Sequence, residues 1–434
     1  MKNEIKMVSA EDAVSHVKSG DRVHFSGIAG YPQKLSEALY QRGLRGEIED
    51  VTVQYMHNIS RSPFAGKETD GIFNLEVVYT GANIRKEVQA GYADYIPVHL
   101  SDTADMIRSG AIDVDVAMIM VSPPDKHGYV SLGTSVDINL PNIENAKLVV
   151  AAINPNVPRT FGDAMIPADS IDLFCEDNSP IIELPTTVPS KEDNIIAGYC
   201  AELIEDGATL QMGIGNLPNV LLSKLSNHKG LGLHTEMFSD GVLPLYQSGV
   251  IDNRNKNIDR GKIVASFLMG TKALYDFADD NPGIIMKTAE YTNNPSIISR
   301  NPKVTAINAA ISIDLTGQIC ADSIGTLQIS GSGGQLDFVR GANMSTGGKS
   351  IITISSTTKK GGSKIVPTLL EGSGVVTPRA DARYIITEFG VADLFGKPLQ
   401  KRARALIDIA HPEHREMLEE AAFKRFGPRF LKIK

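Results

Sequence analysis

From residue 9 onward, short β-branched and apolar runs alternate with segments whose apolar positions recur at helical spacing. Ser9, with Asp12 three positions later, has the form of a helix N-cap, and the helix that it opens runs to Gly20. Arg22 to Ser26 alternates as a strand does. Beyond a Gly-rich turn, Pro32 to Arg42 reads as a helix, Val51 to Met56 as a strand and Leu75 to Tyr79 as another. Helices over Ile84 to Gln89 and Asp102 to Arg108 then alternate with strands over Val114 to Val121 and Leu148 to Ile153. This alternation predicts an α/β fold with a mostly parallel sheet covered on both faces.

The pattern then restarts. Residues 20–35, GDRVHFSGIAGYPQKL, and residues 207–221, GATLQMGIGNLPNVL, share one order of features. A Gly opens a short strand, a Gly-Ile turn follows, and a Pro stands five residues after the first Gly of the turn (Gly27 to Pro32, Gly213 to Pro218). A helix precedes each strand, and the second has its own start signal in Ser190 and Asp193. After each turn and helix comes a further strand, Val51 to Met56 in the first copy and Leu231 to Glu236 in the second. The repeat predicts two tandem, related open α/β domains. Between them lies PIIELPTTVPS (Pro180 to Ser190), whose three prolines interrupt helices and central strands alike, so domains are expected over residues 1–185 and 186–434.

Composition narrows the function class. The 434 residues suffice for two or three domains, and 42% hydrophobic with 22% charged residues is ordinary for a folded globular chain. Lys and Arg number 43 against 51 Asp and Glu; a net charge of −8 argues against a nucleic-acid partner, while leaving room for a local anion site. The best candidate for a membrane span, Val114 to Val121, is interrupted by Asp115 and stops at Pro123, far short of the roughly 18 apolar residues required. Glu4, Glu11 and Asp12 stand where a secretory leader would be apolar, so a cytoplasmic protein is expected. Cys175, Cys200 and Cys320 are odd in number and widely separated, which offers neither a disulfide framework nor a zinc site. His411 and His414 have no further ligand nearby in sequence and are expected on a solvated helix rather than around a metal.

Three segments could carry chemistry. GIGNLP (Gly213 to Pro218) joins an apolar strand to an expected helix over Asn219 to Leu225. Its glycines permit close backbone approach to a ligand and its free amides favour phosphate, although the same turn serves equally well as plain geometry. It is not GxGxxG, and no GxxxxGK[ST] occurs at a strand end, so neither a dinucleotide fold nor an ATPase is supported. HTEMFSDG (His234 to Gly241) puts Glu236 at the carboxyl end of a strand, facing the crevice that GIGNLP faces. A single Glu there is ordinarily a solvated charge, but Leu233, Met237 and Phe238 would desolvate this one and suit it to nucleophilic attack. Finally, glycine runs within Ile329 to Ala342, Asn343 to Thr357 and Thr357 to Lys364 are each followed by a strand-like stretch: Leu336 to Val339, Ser350 to Ile354, and Ile365 to Val366. Loops on a sheet edge are expected rather than a flexible linker, with Arg340, Lys349, Lys359, Lys360 and Lys364 as cations for a phosphate-bearing ligand.

In sequence order, GIGNLP, HTEMFSDG, GSGGQLDFVRGA, GGKSIITISST, TEFGVADLFGK and the closing RARALIDIAHPEHRE resemble the acetyl-CoA hydrolase/transferase family of CoA-transferases. The resemblance spans nearly the whole chain and points to the branch of 4-hydroxybutyrate and butyryl-CoA:acetate CoA-transferases. It implies two domains of the CoA-transferase, NagB/RpiA-like type. It also implies that Glu236 attacks an acyl-CoA thioester to give a mixed anhydride and CoA thiolate, which then returns to form a glutamyl-CoA thioester. By the same resemblance Gln211, Met212, Gly213, Ile214, Gly215, Ile311, Gly333, Gly334 and a lysine of the Lys359–Lys360 pair are CoA contacts. Asn308 is implied as a hydrogen-bond partner of the carboxyl substrate, with a polar residue satisfied inside a strand as the alternative. Gln54 and Met56, at the corresponding strand end of the first copy, are expected to shape the acyl pocket. No carboxylate stands there where Glu236 stands in the second copy, so one active site per chain follows.

Oxyanion intermediates need amide donors, and the turns at Gly213 to Gly215 and Gly333 to Gly334 are the best candidates. Coenzyme A enters as the acyl-CoA substrate; no metal or redox cofactor and no membrane is expected, and a homodimer is expected on base rates for soluble enzymes. Two other functions compete: an acyl-CoA hydrolase using the same glutamate, and a non-catalytic protein that binds a phosphate-bearing ligand.

Overall fold

The computed structural model describes residues 5–60, 62–184, 188–213 and 215–433. Ile214 lies outside the described residues.

Val116–Val121 is apolar at every position and buried at every position, the signature of a strand covered on both faces. It is one of seven strands that form a fully parallel sheet: β1 (Arg22–Phe25), β2 (Val51–Tyr55), β3 (Phe73–Val77), β4 (Ala93–Tyr95), β5 (Val116–Val121), β6 (Leu148–Ile153) and β7 (Leu173–Glu176). The spatial order is β7-β6-β5-β1-β2-β3-β4. The chain therefore starts at β1, builds outward on one side to β4, and returns to β5 on the other side of β1.

The second sheet begins in the same way. After the helix α1 (Gln33–Leu44) of the first half, the corresponding elements are α2 (Lys191–Leu203), β8 (Thr209–Met212) and α3 (Asn216–Ser223). Ser190 caps α2 through a reciprocal pair of hydrogen bonds with Asp193, as its sequence signal predicts. β8 pairs on one side with β9 (Gly232–Leu233) and on the other with β11 (Val304–Ala309), which continues to β12 (Lys349–Thr353), β13 (Tyr384–Thr387) and β14 (Gly390–Asp393). All pairings are parallel except the last, β13 with β14. The fold is thus α/β with two tandem, mostly parallel sheets.

Four sequence expectations shift. The helix after GIGNLP begins at Asn216 rather than Asn219, because Pro218 falls in its first turn, where no intrahelical N–H bond is lost. The edge strand expected over Leu231 to Glu236 stops at Leu233; the chain leaves the sheet and pairs again as β10 (Met237–Phe238) with Phe267–Leu268. Leu336 to Val339 is not a strand but lies within helix α4 (Gln335–Met344), since a four-residue apolar run carries no decisive period. The expected loop cations are mostly committed elsewhere: Lys349 sits in β12 and pairs with Glu205, Arg340 pairs with Asp381, and Lys364 donates to Ser355.

The largest apolar cluster joins the halves, running from Ile28, Met56 and Val121 through Leu210, Leu233 and Phe267 to Ile386. A small parallel sheet also crosses the junction, pairing Phe161–Gly162 with Ile284–Met286 and Ile263–Ala265. Gly162 has φ +86°, and a Cβ there would stand 2.4 Å from the Met286 carbonyl oxygen. Gly162→Ala is expected to destabilise the protein by about 2–3 kcal/mol, read from the midpoint of denaturant unfolding. Among the described residues no helix is long and apolar enough to cross a membrane, and no group of His, Cys, Asp and Glu could hold a metal ion.

Candidate active site

At the carboxyl end of β8 the chain turns to opposite sides, toward β9 and later β11, and such a switch point opens a crevice beyond the strand ends. A cleft of about 250 Å³ occupies that place. Gln211, Met212 and Gly213 line it from β8 and the residue after it, Ile307 to Ile311 from the end of β11 and the residues that follow, and Thr353 from β12. Glu236 and Met237 line it too, opposite the glycine loop Ser330 to Gly334 with Gln335, and Tyr79 reaches in from the first half.

The glycine loop is an ordered wall because the first half holds it. Arg85 Nε donates to the Ile329 carbonyl at 2.5 Å, the Ser332 amide donates to Tyr95 Oη at 3.0 Å, and Ser332 Oγ donates to the Val98 carbonyl at 2.8 Å. The Leu100 amide donates to Gly333 O, and Ser101 Oγ donates to Asp337 Oδ1 at 2.8 Å at the start of α4. Gly331 is needed for this fit, since a Cβ would lie 2.8 Å from the Val78 carbonyl.

Glu236 lies in the segment that crosses from β9 to β10. The Ser266 and Phe267 amides donate to its backbone carbonyl, at 2.9 and 3.1 Å, and fix that crossing. Its side chain is half-buried. Oε2 accepts from Asn293 Nδ2 at 2.8 Å, and the Gly334 amide donates to the carboxylate at the amino end of α4. Burial pushes the Glu236 carboxyl up to about 7, with the Asp337 and Asp137 carboxylates adding to the rise and the donors Asn293 and Gly334 opposing it. Such a carboxylate is poorly solvated yet ionisable near neutrality, a state suited to nucleophilic or acid-base work.

Among the residues named from sequence, the fold brings Gln211, Met212, Gly213, Glu236, Asn308, Ile311, Gly333 and Gly334 into one cleft. Asn308 and Gln211 face each other across β8 and β11 and exchange two side-chain bonds, 3.0 Å and 3.3 Å. Gly213 is a weaker oxyanion donor than its turn suggested, because its amide already donates to the Ile307 carbonyl at 3.1 Å. Gly215 is exposed as the N-cap of α3, and Lys359 and Lys360 are exposed on a turn outside the cleft lining, with His414 Nε2 2.8 Å from Gly361 O beside them.

The first-half pair lies apart from this lining. Gln54 is buried inside its own sheet, where it donates to Asn142 Oδ1 and accepts from Arg22, and Met56 is buried in the apolar cluster. Neither lines the cleft; Tyr79, at the end of the neighbouring strand, does. Sequence reasoning missed Tyr79 and Asn293. Tyr79 carries no local signal, and YTNNP around Asn293 reads only as the helix cap that Asn294 supplies before Pro295.

Comparison with known proteins agrees with this architecture. Residues 2–184 match the acetyl-CoA hydrolase/transferase N-terminal domain and residues 270–422 the C-terminal domain of the same name. The succinyl-CoA:acetate/propanoyl-CoA:succinate CoA transferase of Fasciola hepatica is 45% identical over 96% of this chain and 87% of its own length. The 4-hydroxybutyrate coenzyme A transferase of Clostridium kluyveri is 44% identical over 97% of this chain and 98% of its own. The crystal structure of RipA from Yersinia pestis superposes with a TM-score of 0.91 at 35% identity, covering 98% of each chain. With a cleft at the second switch point, a desolvated glutamate within it and these relatives along nearly its full length, the chain belongs to the acetyl-CoA hydrolase/transferase family and is a CoA-transferase.

Proposed function

We propose that the protein exchanges CoA between a short-chain acyl-CoA, 4-hydroxybutyryl-CoA or butyryl-CoA, and a free carboxylate such as acetate, with Glu236 as the covalent nucleophile. The observation that carries this reading is the Glu236 carboxylate, partly open to the cleft, desolvated, and held by Asn293 and Gly334. A carboxylate suits the exchange because its attack product, an anhydride, is itself an activated acyl group. A serine would end as a stable ester. Gln211, Met212, Gly213, Ile311, Gly333 and Gly334 are the contacts proposed for CoA, with Lys359 or Lys360 for its outer phosphates and Asn308 for the carboxyl substrate. The curated relatives support the substrate class through their own names, which couple acyl-CoA thioesters with carboxylates.

Incubating acyl-CoA with the enzyme, with and without acetate, tests the exchange. New acetyl-CoA formed only when acetate is present is the expected result; CoA release at the same rate without any carboxylate would make the protein a hydrolase. Acidity offers a second test. With the Glu236 carboxyl near pH 7, kcat/KM is expected to fall about tenfold per pH unit below that value and to level off above it. A profile that stays flat down to pH 5 would remove Glu236 from the attacking role.

A further inference from the structure

We propose that Lys256, buried outside the cleft, is a positioning residue for the reaction: its Nζ fastens the end of β9 to the start of the strand Ile263–Ala265 and so fixes where the chain carries Glu236 into the cleft. This rests on the reading of Glu236 as covalent nucleophile.

β9 is the edge of the second sheet, and its main-chain groups point toward β8 and away from it in turn. Gly232 and His234 donate on the β8 side, to the Ala208 and Leu210 carbonyls. Leu231, Leu233 and Thr235 therefore present theirs on the outer side. Main chain satisfies the first and last of these, since the Leu231 amide donates to the Val250 carbonyl at 2.9 Å and the Thr235 amide to the Val264 carbonyl at 3.0 Å. Leu233, between them, is met by side chains. Its amide donates to Asn253 Oδ1 at 2.9 Å, and Lys256 Nζ donates to its carbonyl at 3.0 Å. A buried carbonyl at a sheet edge needs such a donor.

The same Nζ donates to the Lys262 carbonyl at 2.7 Å. Lys262 immediately precedes Ile263–Ala265, and the run that follows it holds the glutamate segment: Val264 accepts from the Thr235 amide, and the Ser266 and Phe267 amides donate to the Glu236 carbonyl. One amino group thus joins the two chains whose docking sets the backbone of Glu236. The place is built for it. Lys256 is 2% exposed, and a Cβ on Gly232 would stand 2.8 Å from its Cγ, so the glycine gives the stem its passage. Burial lowers the amine to about 7, with the Asp259 carboxylate opposing the fall. Both protonation states keep at least two N–H groups, enough for the two carbonyls.

Lys256 does not line the cleft, so it acts on Glu236 through the main chain. Misplacing an attacking group by about 1 Å can cost on the order of a hundredfold in rate. The contacts proposed for CoA lie on β8, β11 and the glycine loop, which neither hydrogen bond of Nζ reaches. Removing Nζ should therefore slow the chemistry and leave acyl-CoA binding intact.

The test compares wild type with Lys256→Met, which keeps an apolar stem of similar length and loses the donors. Steady-state exchange gives kcat and KM; rapid quench with intact-protein mass spectrometry gives the rate of glutamyl-CoA adduct formation; circular dichroism reports folding. Both rates are expected to fall by about a hundredfold, with the KM for acyl-CoA within threefold of wild type. A folded variant with both rates within threefold of wild type would overturn the proposal, and so would a loss confined to KM. Should Lys256→Met not fold, Lys256→Gln decides. Its amide is one atom shorter and reaches only one of the two carbonyls, so adduct formation is expected to slow by about tenfold at unchanged KM; an undiminished rate would overturn the proposal. Absence of any adduct on wild-type Glu236 would instead sink the covalent reading, while the comparison of kcat still decides the positioning role.

Discussion

Replacing Glu236 with glutamine is expected to lower acyl exchange by at least about 10⁴-fold, because the amide keeps the shape of the side chain but has no oxygen able to form the anhydride. The measurement is acetyl-CoA formation from a short-chain acyl-CoA and acetate, and a variant retaining a hundredth of wild-type activity would reject the assignment. The same substitution should make the protein more stable at alkaline pH. The folded-state pKa of Glu236 is raised to about 7 from an ordinary 4.5, so its contribution to stability is fully present below about pH 4.5 and is lost as the pH rises through 7. Glutamine carries no such penalty, and Asn293 Nδ2 can still donate to its carbonyl oxygen. Glu236→Gln is therefore expected to gain on the order of 2 kcal/mol over wild type at pH 8.5, with the difference closing toward pH 4. Thermal unfolding of both proteins across that range checks the sign. A nucleophile maintained at a cost to the fold is common at active sites.

Gly334→Ala is the second large effect. A Cβ at this position would stand 2.0 Å from Asn293 Nδ2 and 2.2 Å from Glu236 Oε2. Asn293 is fully buried and cannot withdraw, so the clash falls on the donor and acceptor atoms themselves. A loss of about 10³-fold in exchange is expected, in line with displacing a preorganised donor from a reacting oxygen. The backbone is not the reason: Gly334 has φ −95°, which alanine adopts freely. Its neighbour makes the contrast. Gly333 has φ +53°, where alanine costs about 1 kcal/mol, but a Cβ there meets nothing closer than Tyr79 at 3.8 Å. Gly333→Ala should thus lower stability modestly and lose far less activity than Gly334→Ala, which should fold and fail. Comparable activity in the two variants would contradict this division.

How much of the site could be read in advance differs from residue to residue. Glu236 stood out because Leu233, Met237 and Phe238 lie close beside it along the chain, and those neighbours are buried in the fold. The strand, turn and helix of GIGNLP were legible for the same reason, since their period and punctuation lie within a dozen residues. Gln54 and Met56 could not be placed from sequence, because an analogy between the two repeats says which strand end faces a crevice but not which side chains bond within their own sheet. Gln54 meets Asn142, 88 residues away, and nothing local announces that partner.

Sequence by itself therefore determined the α/β alternation, the second start at Gly207, the glutamate and the glycine turns, all features encoded by local spacing and by side-chain chemistry. Tertiary structure decided the rest. Tyr95 meets Ser332 across 237 positions, and Asn293 meets Glu236 across 57. Such contacts turn a linker-like glycine run into a wall and a surface-type glutamate into a desolvated one. The physical reason is that the charge state of a carboxylate depends on what surrounds it in space, and burial by distant segments outweighs anything its own neighbours along the chain can impose.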